Sequence, residues 1–332
     1  MTLEAVPAGP VMAAAGYVHI VVAVLTFRRP EGIGKLLEVL RNQVHQPERP
    51  FRLTVLVVDN DATGSARSVV EAFADTGAYR LIYVIEPQQG IPLARNRAID
   101  TAPADTDLFC FLDDDEWPVD GWLDAMLAVR ALTGADCVYG PVEPVYPSDP
   151  PAFFVRSRVF DRKRNRDGAR IDYAASNNVM IDHRYMRAHG LRFDERMRFT
   201  GGTDYLFFNQ AVRGGMKVFW ADDALVYDII PAGRMTWKWL LQRQYRLGNT
   251  FAVRDTLYGT PREKLWRLVY GAARTSLGAA MLPALLVSPR WGMRALTHMF
   301  RGAGMVSGIL GHAYQEYAPA RLGPPPGIGS GG

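Results

Sequence analysis

The chain has 332 residues, of which 48% are hydrophobic and 22% charged, with a formal net charge of +4. That is apolar material for one large domain, or a domain with an appendage, and too little charge to demand a nucleic-acid partner. No apolar run reaches the ~18 residues of a spanning helix. The nearest, Leu277 to Ser288, is shorter and interrupted by Pro283, so the chain is not expected to span a membrane by itself.

Residues 1–16 are rich in Ala, Pro and Gly and lack a basic start, which predicts a disordered lead-in rather than a signal peptide. The run from His19 to Leu25 is a continuous apolar, largely β-branched stretch, as in a strand covered on both faces. Leu36, Leu37 and Leu40 give 34–43 helical spacing, and Leu53 to Val58 reads as a second buried strand ending in Asp59-Asn60-Asp61. A helix over 65–74, a strand over 81–85, a helix over 94–101, a strand over 108–112 and a helix over 122–132 follow. Strands alternating with helices predict an α/β fold with a mainly parallel sheet and helices on both faces. Ligands bind such sheets at the carboxyl ends of the strands, where Thr26, Asp59 and Asp113 to Asp115 fall.

Beyond residue 140 the pattern changes. Prolines crowd 141–151, and Arg156, Arg158, Arg162, Lys163, Arg164, Arg166 and Arg170 follow closely. The stretch 141–172 is expected to be a mobile basic loop between a first half (17–140) and a second half (173–235) of one domain. Residues 236–320 read as an amphipathic helical extension and 321–332 as a disordered tail. Cys110 and Cys137 sit in apolar runs and read as core thiols in a reducing, cytoplasmic setting.

The stretch Phe111-Leu112-Asp113-Asp114-Asp115-Glu116 is the most informative in the chain. Three consecutive carboxylates at a buried strand end repel one another unless they are paired. A divalent cation with hard oxygen ligands would relieve them, and phosphate oxygens could complete its shell. The alternative is a solvated acidic turn.

Six elements in order, Val-Leu-Thr-Phe-Arg-Arg-Pro, Val-Val-Asp-Asn-Asp, Gly-Ile-Pro-Leu-Ala-Arg-Asn, Phe-Leu-Asp-Asp-Asp-Glu, Ser-Asn-Asn and Gly-Gly-Thr-Asp, make the chain resemble the family 2 glycosyltransferases over residues 18–250. The stretch from Arg243 onward is similar to the bacterial exopolysaccharide glucosyltransferases of the succinoglycan type. The resemblance implies a Rossmann-like GT-A catalytic domain over 17–235, with 17–140 as its nucleotide-sugar-binding half and 173–235 as its acceptor half, a nucleotide-sugar donor, Mg²⁺ or Mn²⁺, and inversion at the anomeric carbon. It implies donor contacts at Thr26, Phe27, Asp59 (on the nucleobase), Arg95, Asn96 and Asp113, with Arg243 and Arg246 on the diphosphate. It places the metal on Asp115 and Asp113, the acceptor on Asn177, Asn178 and Thr203, and the general base on Asp204. Phe27 stands for the usual tyrosine, Thr203 for the usual glutamate, and Leu247 for the tryptophan of processive synthases. The last change implies addition of a single sugar.

The expected reaction is hexose transfer from a UDP-sugar, such as UDP-glucose, to a glycan or lipid-linked oligosaccharide acceptor, with no nucleic acid involved. A non-catalytic sugar-nucleotide or glycan-binding module and a nucleotidyltransferase are the rival classes. The second should carry glycines after the first strand, which Thr26 to Pro30 lacks. The arginines of 265–317 suit either helices lying at an anionic membrane, at the inner face of the cell membrane, or ordinary packing on the core.

Overall fold

The structure, a computed structural model, describes residues 17–316 apart from 44–49, 75–76 and 147–148. The lead-in at 1–16 and the tail at 321–332 lie outside the described residues. The first half runs β1 (Val18–Thr26), α1 (Pro30–Arg41), β2 (Phe51–Asp59), α2 (Arg67–Glu71), β3 (Arg80–Ile85), α3 (Ile91–Thr101), β4 (Leu108–Asp113), β5 (Glu116–Pro118) and α4 (Trp122–Thr133). The middle adds β6 (Cys137–Tyr139), β7 (Val142–Val145), α5 (Ala152–Ser157), β8 (Arg170–Ile171), β9 (Val179–Asp182), α6 (His183–Ala188), α7 (Thr203–Arg213), β10 (Val218–Trp220) and β11 (Val226–Ile229). Three long helices close the chain: α8 (Trp237–Tyr258), α9 (Pro261–Ala280) and α10 (Pro289–Ile309).

Eight strands form one sheet in the order β3-β2-β1-β4-β9-β6-β10-β8, and β5-β11-β7 form a second, smaller one. The neighbours from β3 through β4 pair parallel, as do β6 and β10. β9 is antiparallel to both β4 and β6, so it joins the two parallel halves. Side-chain alternation along β1 serves both faces. Ile20, Val22 and Val24 pack in one core with Ile33, Leu36, Leu37 and Leu40 of α1 and with Trp122, Leu123 and Met126 of α4. Val21 and Ala23 pack in the other with Ala94 and Ala98 of α3 and with Phe207, Phe208 and Ala211 of α7. The α/β architecture with helices on both faces and a helical C-terminal region is therefore as expected. Cys110 and Cys137 are buried and unbridged.

The stretch 141–172 differs from the expected loop: it carries β7, α5 and β8. Two of its arginines face acidic partners, Arg164 pairing with Glu143 and Asp222 and Arg162 with Asp228. Pairing across sequence gaps of up to 66 residues is invisible to local periodicity.

By packing, the chain falls into two compact units. The first holds the stretches up to 149, 160–195 and 204–231; the second holds 150–159, 196–203 and 232 onward. The second is built chiefly from α8, α9 and α10. Among the described residues no helix is long and apolar enough to cross a membrane.

Candidate active site

Parallel pairing puts the ends of three strands side by side. Thr26 of β1 is in register with Asp59 of β2, and Leu25 with Asp113 of β4. The acidic triplet forms the turn from β4 into β5. Thr26 Oγ1 donates to Asp114 Oδ2 at 2.8 Å, and Arg29 Nη1 donates to Asp114 Oδ1 at 3.1 Å and Asp115 Oδ2 at 3.0 Å. A side chain at residue 32 would put its Cβ 2.7 Å from the Asp114 carbonyl oxygen, so Gly32 lets α1 come close to this turn. Asp114 is buried, which raises its pKa, while Arg29 and the Thr26 hydroxyl pull it back. Asp113 is half-buried, and desolvation pushes its pKa up to about 7. Arg95 opposes that shift; Asp115, Asp114 and Asp204 add to it.

Glu116 is the next residue and is fully enclosed. Asn177 Nδ2 donates to its Oε1 at 2.8 Å, and the Asp113 amide donates to its Oε2 at 3.3 Å. Register places it opposite Asp228, whose Oδ2 accepts from Arg162 Nη2 at 3.0 Å. Burial and the Asp113 charge hold the Glu116 carboxyl well above the ordinary carboxylate range, against the opposing charge of Arg162. Glu116, Arg28, Arg29 and Arg162 were not singled out as site residues from sequence. The available signal was a pair of arginines directly after β1, opposite in sign to the triplet that ends β4.

Several residues expected to meet a ligand have their side chains engaged by the scaffold. Asp59 is fully buried, and its carboxylate accepts from the Asp61 and Ala66 amides at 3.0 and 2.9 Å and from the Tyr83 hydroxyl at 2.8 Å. It fixes the turn after β2. Asn96 Oδ1 accepts from the Phe193 amide, and its Nδ2 donates to the Phe193 carbonyl and Glu195 Oε1, each at 2.9 Å. Asn178 has φ 65°, a left-handed conformation that asparagine tolerates. Its Oδ1 accepts from Trp122 Nε1 at 2.7 Å, while Nδ2 donates to the carbonyls of Pro141 and Ala224 at 2.7 Å. Arg95, by contrast, lies over the Phe193 ring at 5.1 Å and carries its charge toward Asp113. Phe27 is half-buried with the Arg28 guanidinium 4.8 Å above its ring, and Arg28 Nε also binds Asp61 Oδ2 at 3.0 Å.

Asp204 opens α7, half-buried, with Oδ1 accepting from the Tyr205 amide at 2.8 Å. Its charge acts on Asp113 and on Tyr139. Thr203 is buried, and the preceding glycines hold positive φ, 73° at Gly201 and 74° at Gly202. Gly202 faces Thr250 of α8, and a Cβ would collide with it. Arg243 and Arg246 belong to α8 in the second unit. The first lies 5.3 Å from the Trp239 ring centroid; the second pairs with Glu316.

The donor set fits a divalent cation. Asp113 and Asp115 offer hard oxygens; burial raises the pKa of Asp113, Arg95 opposes that, and the neighbouring carboxylates Asp115, Asp114 and Asp204 add to it. Among the described residues no group of three or more His, Cys, Asp or Glu side chains could hold an ion alone. Mg²⁺ and Mn²⁺ commonly bind through one or two carboxylates plus substrate phosphates. Asp115, already shared with Arg29, and Asp113 would hold such an ion.

The family model described as Glycosyl transferase family 2 matches residues 21–190. The succinoglycan biosynthesis protein ExoM of Rhizobium meliloti is 32% identical over 314 residues, covering 91% of this chain and 96% of that protein. Glycosyltransferase AglE of Haloferax volcanii is 24% identical over 234 residues, 70% of this chain and 72% of that one. Among solved structures, the mannosyltransferase PcManGT of Pyrobaculum calidifontis in complex with GDP-Man and Mn²⁺ superposes with a TM-score of 0.61 at 16% identity, covering 89% of this chain and 88% of that one. S. aureus TarS in complex with UDP-GlcNAc gives 0.52 at 16% identity over 85% and 90%. At such identities the likeness is one of fold. The strand-end carboxylates, the match across 21–190 and the relative spanning nearly the whole chain lead to one assignment: the chain belongs to glycosyl transferase family 2.

Proposed function

We propose that the chain transfers a hexose from a UDP-sugar, with inversion, to a glycan or lipid-linked oligosaccharide acceptor in exopolysaccharide assembly. The observation that carries this reading is the meeting of Asp113 to Asp115 with Asp204 in one electrostatic environment at the carboxyl end of the sheet. The acidic turn supplies oxygens for a cation-bound diphosphate, and Asp204 supplies a carboxylate not among them.

In this reading Asp113 and Asp115 would hold a divalent cation, which would supply Lewis-acid neutralisation of the nucleoside diphosphate leaving group. Arg29, bonded to both Asp114 and Asp115, would still hold the turn through Asp114 with Asp115 given to the ion. Arg95 balances the charge of Asp113 from the α3 side. Asp204 takes the proton of the acceptor hydroxyl as that oxygen attacks the anomeric carbon from the face opposite the leaving group. Such base assistance is typically worth about 10²- to 10⁴-fold. Asn177 holds Glu116, and Glu116 in turn receives the Asp113 amide, so both act through the acidic turn. Asp59, Asn96 and Asn178 hold the scaffold, buried Thr26 holds Asp114, and half-buried Phe27 lines the approach at the end of β1. The ExoM relationship favours polysaccharide assembly as the setting.

The test is nucleotide release from UDP-glucose, UDP-galactose, UDP-N-acetylglucosamine, dTDP-rhamnose and GDP-mannose, with Mn²⁺, Mg²⁺ or EDTA and membrane lipid extract as acceptor source. One donor is expected to turn over only with a cation. Asp115→Ala should abolish that turnover, and Asp204→Asn should lower it by ~10²-fold or more while donor binding persists. Full turnover by Asp204→Asn would overturn the assignment of the base; full turnover in EDTA would overturn the cation.

A further inference from the structure

We propose that the outward face of α9, continued by the turn into α10, is a docking surface for an anionic phospholipid bilayer. The sequence supplies the first half of the argument. Between Lys264 and Gln315 there is no Asp or Glu, while the stretch holds Lys264, Arg267, Arg274, Arg290, Arg294 and Arg301; Arg267 pairs with Asp255 of α8 and Arg301 donates to Gln244, whereas Arg290 and Arg294 are exposed. A stretch of that length in an ordinary helical surface carries both signs, and this one does not.

The structure supplies the second half. α9 packs on α10 through Gly271 and Gly278, where a Cβ would meet Met305 and Gly302 or Met299 and Ala295. About 100° per residue around the helix places Leu265, Trp266, Val269, Tyr270 and Leu277 on the side away from those glycines. All five are exposed, Leu265 by 62% and Trp266 by 65%. The stripe is therefore left over after the helix has made its core contact. The turn that follows exposes Leu286 by 93% and Val287 by 87%, and α10 begins with exposed Trp291. Cations sit among these rings: Arg274 Nη1 donates to the Tyr270 hydroxyl at 3.2 Å, and the Arg294 guanidinium lies 4.8 Å from the Trp291 ring centroid.

Charge decides the occupant. A second copy would bring the exposed Arg290 and Arg294 against like charges, and the stretch from Lys264 to Gln315 has no carboxylate to answer them, which opposes self-association. An anionic headgroup layer supplies the missing charge, worth about 1 kcal/mol per Lys or Arg near the surface, which is roughly fivefold in partitioning each. Exposed Trp and Tyr beside Arg suit the headgroup boundary, where an amphipathic helix lies in the plane with its apolar side inward. The surface is defined without reference to the reaction, so its test is independent of turnover.

The experiment is flotation of the full chain with vesicles of phosphatidylcholine, alone or with about 30% phosphatidylglycerol, at low and high salt. Binding is expected only to the anionic vesicles and to weaken with salt. Leu265→Ser/Trp266→Ser and Arg290→Gln/Arg294→Gln should each weaken it by at least ~tenfold. Leu132→Ser, on the exposed side of α4, should leave it unchanged. Circular dichroism confirms that each variant is folded, and nucleotide release is measured separately without vesicles. Equal binding to neutral vesicles, or binding unaffected by both double variants, overturns the proposal. A concentration-dependent dimer that Trp266→Ser dissociates, with no flotation, gives the face to a second copy and overturns it too.

Discussion

Asn177 and Asn178 are neighbours of one type with opposite surroundings. Asn178 is completely buried at positive φ and satisfies an indole N–H and two carbonyls. Removing its amide takes the partner from the buried indole N–H and the Ala224 carbonyl, each worth about 1–3 kcal/mol, while the Pro141 carbonyl keeps the Val226 amide, and it puts alanine in a left-handed conformation it resists. Asn178→Ala is therefore expected to lower stability by roughly 3 kcal/mol or more, read from the urea midpoint. Asn177 donates to Glu116 at the back of the acidic turn, so Asn177→Ala should stay closer to the parent in stability and lose turnover. A stable Asn178→Ala that lost only turnover would return the acceptor role to Asn178. The same ambiguity runs through Asp59 and Asn96. Short polar side chains at strand and helix ends serve backbone amides as readily as ligands. Their placement at the carboxyl edge was legible in the sequence; which partner they take was not, because the partners Tyr83, Phe193 and Ala224 arrive from distant parts of the chain.

Among the elements, β1 to β4 were legible because each is a nearly continuous apolar run ending in polar residues, and only the ends moved by a residue or two. β6, β8 and β10, of two or three residues each, carry no period long enough to read, and the antiparallel entry of β9 between β4 and β6 is fixed by tertiary pairing. The C-terminal helices show a different limit. Their apolar stripes were visible, yet the seams between them are made by glycine: Gly248 meets the Arg301 carbonyl, Gly304 the Tyr245 carbonyl, and Gly302 the Gly271 carbonyl. Hydrophobic periodicity is blind to a contact whose side chain is absent. Two effects compete when such a glycine is replaced. Gly304→Ala gains about 1 kcal/mol of helix propensity. It also forces α8 and α10 apart where backbone faces backbone, and overpacking typically costs about 1–3 kcal/mol even where side chains can yield. Neither backbone can rotate away, so the steric cost wins, and Gly304→Ala is expected to lower the unfolding midpoint. A stabilised variant would mean that the helices separate freely at that crossing.

Across the whole molecule, burial sets two groups of titrating residues against each other. His19 lies inside β1 between Thr54 Oγ1 at 2.8 Å and Asp105 Oδ1 at 3.1 Å, and burial, then Arg52, lowers its pKa below 6.5. Burial lowers His183 in the same direction. A histidine depressed in the folded state contributes stability that is complete above the unfolded value and is lost as pH falls below it. Asp113, Asp114 and Glu116 are shifted the other way, upward, by burial and by one another. Their contribution is complete at acid pH and is lost as pH rises from the ordinary carboxylate range, for Asp113 from 3.8 to about 7. Above 6.5 only the carboxyl contribution still changes, so on this alkaline limb the ligand-free protein is expected to lose stability as pH rises; below 6.5, the acid limb, the histidine contribution runs the opposite way and offsets it. Thermal unfolding across pH 5 to 8, about the span set by these groups, separates them. His19→Gln should weaken that offset on the acid limb and leave the other limb; Asp113→Asn should flatten the alkaline limb and raise the midpoint at pH 8 while abolishing turnover, because a residue strained for chemistry is commonly a burden on the fold. A divalent cation with UDP should flatten the same limb in the parent, since it favours the ionised carboxylate that the empty turn resists. If Asp113→Asn left the alkaline limb unchanged, Asp113 would already be ionised across this range, and the cation would have no crowding there to relieve.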